Sequence, residues 1–127
     1  MDDTDELAME KATPHIIHAF SQVFGVGDTG FENTERLVKN YGTRGECGSA
    51  EIARNMSNEE YLLDRNLVFV GSPETVVNRI KAAATEGLFN TSFVEFNMGW
   101  LEEEDLMRSI RLFGGQVILR LGDFQPY

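Results

Sequence analysis

Apolar and polar positions alternate with two different periods along this chain. Leu67, Val68, Phe69 and Val70 form a compact apolar run with the length and β-branched content of a buried strand. Gly71 then permits a turn, Ser72 suits a helix N-cap, and Pro73 fits a first helical turn, where its missing N–H costs nothing. Glu74 places negative charge at the positive end of the helix dipole. Val76, Val77, Ile80, Ala83 and Ala84 recur at helical spacing, and Gly87 is suited to the position just past a helix C-terminus. A second apolar run, Phe93 to Phe96, follows. Strand, helix, strand in about thirty residues predicts a βαβ unit with parallel strands.

Before this unit the period is helical. Ile16, Ile17, Phe20, Val23 and Phe24 share one helical face, and Pro14 is expected to separate that helix from a short one at Leu7 to Ala12. The acidic stretch Met1 to Glu6 is expected to fray. Weak helical signals surround Leu37 and Ala50, and Ser57-Asn58-Glu59-Glu60 has capping-box spacing ahead of Tyr61, Leu62 and Leu63. After the unit, Glu102 to Asp105 open a helix whose Leu106, Ile110, Phe113 and Val117 make one apolar face. Gly114-Gly115 sits inside that pattern, where the helix is expected to end or bend. Residues 122–127 read as a loose tail.

Three stretches carry a resemblance: Val70 to Glu74, Phe96 to Gly99, and Arg108 to Phe113. In this order and spacing they resemble the end of a luciferase-like flavin-dependent monooxygenase, and the match spans roughly residues 57–121. Gly114-Gly115 and Ile118 depart from the family pattern, which has better helix formers there and then a proline. The resemblance implies an α/β fold, a partial TIM barrel made of its C-terminal two βα units and preceded by a helical segment. The expected division is residues 1–56, helical and loop; 57–121, the βαβα part; and 122–127, the tail. The family's activity is that of an oxidoreductase. Reduced FMN, or the deazaflavin F420 in a related branch, meets a small organic substrate, and in flavin members oxygen adds to the cofactor.

The length changes that picture. A chain of 127 residues is too short for a whole barrel, which takes about 250 residues. The expectation is a portion incomplete for catalysis alone, whose partner is the missing barrel portion or a second copy. The alternative is a non-catalytic α/β binding or assembly module. A third reading places a nucleotide on Gly25-Val26-Gly27-Asp28-Thr29-Gly30, which matches G-x-G-x-x-G but needs a strand before it.

Candidate site residues follow from strand ends and from the resemblance. Gly71 and Ser72 present amides at a helix N-terminus, suited to an anion. By resemblance, Phe96, Asn97 and Trp100 sit by the flavin ring, with Asn97 donating a hydrogen bond and Trp100 walling ring or substrate. Met98 shares that strand end. No residue is assigned a catalytic role. His15 and His18 form H-x-x-H, but nothing completes a metal site, and the single cysteine, Cys47, makes neither an intrachain disulfide nor a cysteine cluster. The net charge of −10 disfavours nucleic acid and anionic membranes. No apolar run is long enough to span a bilayer, and the N-terminus lacks a secretory pattern, so a cytoplasmic location is expected.

Overall fold

A computed structural model describes residues 1–23, 55, 58–87, 89, 91–97 and 100–126. Its elements are α1 (Asp5–Val23), α2 (Glu59–Asp64), α3 (Pro73–Thr85), α4 (Glu103–Leu112), a π-type turn (Phe113–Val117) and α5 (Ile118–Leu121). There is no strand among the described residues, so the expected α/β partial TIM barrel is corrected to an all-helical fold. Residues 68–70 and 92–97 carry no regular secondary structure and form no ladder. Apolar content alone therefore does not make a sheet, which also needs two edges in register.

Two apolar clusters hold the helices. The first joins Ala8 and Ile16 of α1, Leu62 of α2, and Val68 and Val70 of the first apolar run. Contacts from both halves of α1 explain why this helix continues through Pro14. The proline removes one helical bond, at a cost of about 3 kcal/mol, and burial of Ala8 and Ile16 on either side of it offsets that loss. The second cluster packs Val76 and Val77 of α3 against Val117, with Phe69, Ile80, Phe113 and Leu121 around them.

At α3 the cap is the one the sequence suggests: Ser72 accepts from the Thr75 amide, with Pro73 in the first turn. At α2 the cap is Asn58, which accepts from the Tyr61 amide and stands one residue after the serine that heads the capping-box spacing. Gly87 adopts φ +76° just after α3, a conformation glycine enters without steric penalty. The double glycine shows its effect in α4. Gly114 and Gly115 lie in the π-type turn, and the helix resumes at Ile118. The predicted face of α4 shifts: Ser109 is buried and Ile110 is 41% exposed.

The start of the chain is packed where the sequence suggests fraying. Asp2 is 3% exposed, and its carboxylate accepts from Lys11 Nζ at 2.8 Å and from Arg108 Nε at 3.0 Å. Arg108 also pairs with Asp3, and Lys11 bridges to Asp105 at 2.7 Å. This network pins the start of α1 to α4. At the other end, the Phe124 amide donates to the Leu121 carbonyl, and Lys81 Nζ lies 5.4 Å from the Phe124 ring centroid.

Candidate functional site

A partly open cavity of about 510 Å³ is lined by residues of the two apolar runs, α1, α3 and the π-type turn. Its size is that of small-molecule sites, which run from about 300 to 1,000 Å³. Val68, Phe69 and Val70 of the first run, Val94 and Phe96 of the second, and Phe113 all line it. The Phe96 and Phe113 rings meet edge to face, with centroids 5.2 Å apart, a favourable aromatic geometry. Ser92, Phe93, Val94 and Glu95 line the cavity and are themselves exposed, which puts them at its open side.

Polar groups deep in this wall are already engaged. The Ser109 hydroxyl accepts from the Met1 amino group at 2.9 Å and donates to the Met1 carbonyl at 3.2 Å. Burial lowers the pKa of that amino group, against the raising effect of Asp2 and Asp105. Among the described residues no lysine or arginine lines the cavity; His15 and Glu95 are the ionisable side chains of its described lining.

The candidate residues separate in space. Only Phe96 enters the cavity wall. Asn97 is exposed and outside the wall. Trp100 is 84% exposed and stacks obliquely on His18, with centroids 5.5 Å apart. Gly71 and Ser72 meet an internal ligand instead. Asp5 Oδ1 accepts from the Ser72 amide at 2.6 Å, and its Oδ2 accepts from the Thr75 hydroxyl at 2.8 Å. The Ser72 amide, then Thr75, hold the Asp5 carboxyl below its ordinary pKa. A negative charge is favourable at this helix end, and here the chain supplies it.

The Gly25 to Gly30 motif, Cys47 and Met98 lie outside the described residues. Among the described residues, no group of three or more histidine, cysteine or acidic side chains is arranged to hold a metal. No described helix is long and apolar enough to cross a membrane.

Flavin mononucleotide makes two demands on a site. Its ring needs flat apolar walls, and its phosphate needs free amides or cations. The cavity meets the first with Phe69, Phe96 and Phe113. Among the described residues the second is not met, because Asp5 occupies the Ser72 amide and no described lysine or arginine lines the wall. As arranged, these residues suit an uncharged ring and not the whole phosphorylated cofactor.

Sequence reasoning missed Asp5, because nothing in an acidic N-terminal stretch marks which carboxylate will reach a helix seventy residues away. Phe113 was within reach of it, as the aromatic end of a motif stretch on a helical face. No family model, no curated protein and no solved structure matches the chain.

Proposed function

We propose that this chain serves a luciferase-like, flavin-dependent monooxygenase reaction as a part incomplete for catalysis alone. One observation supports the reading above others. Each of the three stretches that carry the resemblance contributes a residue to the wall of the same cavity: Val70, Phe96 and Phe113. In this reading the cavity receives an apolar ring or a small organic substrate. The cofactor, reduced FMN or F420, supplies the redox chemistry when it is bound. This chain's residues wall the ring and exclude water. A complementary polypeptide or a second copy supplies the phosphate contacts that the described residues lack.

The test is titration of the purified chain with riboflavin and FMN, read by flavin fluorescence alongside size-exclusion mass. The reading predicts saturable quenching by riboflavin that is lost in Phe96→Ala and Phe113→Ala. A folded chain that quenches neither flavin at any mass would contradict it.

A second reading, a non-catalytic helical binding module, draws on the closure of the Ser72 amide by Asp5. A monomer that takes uncharged ligands but no flavin would select it.

A further inference from the structure

We propose that the cavity is a binding site for an uncharged, predominantly apolar small molecule, and that it discriminates against anions of the same shape. The inference rests on the cavity being a ligand site, as in the proposed function, but not on flavin chemistry.

Five observations converge, two on polarity and three on charge. The inner wall is aliphatic and aromatic, built from Val68, Phe69, Val70, Val76, Phe96 and Phe113. Its buried hydroxyl, on Ser109, already donates and accepts within the chain. A ligand's polar group placed there would give up water without gaining a partner, at a cost comparable to an unmade hydrogen bond. Polar parts of a ligand must therefore face the open side, beside Ser92 and Glu95.

Charge decides the rest. Glu95 lines the cavity and is exposed at its mouth, and among the described residues neither lysine nor arginine answers it there. The Met1 amino group is the nearby cation, but it is committed to Ser109, and Asp2 and Asp105 lie close enough to act on it. The N-cap of α3, Ser72, two residues past the lining residue Val70, donates its amide to Asp5. An anion entering the cavity meets a carboxylate at the mouth and an interior whose described lining is apolar apart from His15 and the engaged Ser109 hydroxyl. A neutral molecule of the same shape meets only the interior, which favours it.

A matched pair of dyes isolates this charge effect. N-phenyl-1-naphthylamine is neutral, and 8-anilinonaphthalene-1-sulfonate is the same framework bearing a sulfonate. The full chain is titrated with each, and binding is read from the rise in dye fluorescence. The neutral dye is expected to bind at least about tenfold more tightly, the scale of one like-charge contact near a protein surface. Glu95→Lys is expected to tighten the anionic dye by about fivefold or more relative to the neutral dye. Ser92→Trp, on an exposed segment, fills the mouth and is expected to weaken the neutral dye by about tenfold or more.

Equal or tighter binding of the sulfonate by the unmodified chain would overturn the proposal. So would failure of the folded chain to bind the neutral dye, or unchanged binding by a folded Ser92→Trp variant. The flavin reading fails separately: neutral dye bound and displaced by Ser92→Trp, with riboflavin unbound, removes the flavin and leaves the site.

Discussion

Two apolar runs of similar composition end in opposite environments. In the first, Val68 and Val70 are each 7% exposed. In the second, Phe93 is 98% exposed and Val94 45%. Both lack regular secondary structure, and neither joins a ladder. The difference lies in what stands behind them. The first run is backed by α1 and α2 through Ala8, Ile16 and Leu62. The second is attached chiefly through Phe96, which meets Phe113. Apolar, β-branched sequence favours an extended backbone, but burial depends on whether another element presents a complementary face.

The comparison is broken most strongly from the backing side. Leu62 is fully buried in the first cluster, so Leu62→Ala is expected to cost about 2–5 kcal/mol. Urea denaturation followed by helical circular dichroism would measure it. A loss below the lower bound would mean that the first run does not depend on this backing.

Gly71 tests the exit from the same run. Its φ of +146° lies in a region that side chains rarely adopt, and an added Cβ would fall 2.8 Å from Asp5 Oδ1 and 2.8 Å from Thr75 Cγ2. Gly71→Ala is expected to cost about 1–3 kcal/mol. It should also loosen Asp5 from the Ser72 amide. The same denaturation series checks the first effect, and the Ser72 amide chemical shift checks the second.

Acid should release α1 from α4. Hydrogen bonding from Lys11, against the opposing effect of burial, draws the Asp2 pKa down from 3.8 to about 2. A depressed carboxyl pKa contributes stability that is full above the unfolded value and is lost as pH falls through the folded one. Thermal stability is therefore expected to drop between about pH 4 and pH 2. In Asp2→Asn that part of the drop should be missing. An identical acid profile in the variant would show that Asp2 does not hold the start of α1.

The smallest effect belongs to the exposed run. Phe93→Ser is expected to change stability by no more than about 0.5 kcal/mol, as at other surface positions. A larger loss would show that the second run is buried in solution, by self-association or otherwise. Repeating the measurement at two protein concentrations separates those cases.

What was legible in the sequence was local. Ser72 with Pro73 and Gly87 after α3 are encoded within a few residues, and the structure follows them, while the cap of α2 falls on Asn58, one residue later than the capping-box spacing implies. The irregularity at Gly114-Gly115 was equally visible, though not its form as a π-type turn. What was not legible was long-range. Pro14 reads as a helix stop until Ala8 and Ile16 are seen to share one cluster. The acidic start reads as a loose tail until Lys11 and Arg108 converge on Asp2. The strand expectation failed because a ladder is a relation between two segments, and the apolar pattern of each says nothing about register with the other. For the site, Phe96 was found and Phe113 lay in a named stretch, whereas Asn97 and Trp100 stand outside the cavity wall. The closure of the Ser72 amide by Asp5 needed the folded chain.

The measurement closest to the central contrast is amide hydrogen exchange, resolved by residue, across residues 67–70 and 92–97. Residues 92–97 should exchange within about tenfold of the unprotected rate, since exposed, unladdered amides open without unfolding. Within α3, the amides should be strongly protected, and the Leu67 amide, which donates to the Leu62 carbonyl, should be slowed as well. Protection across 92–97 equal to that of α3 would contradict the account, because it would require those amides to be hydrogen-bonded in a sheet.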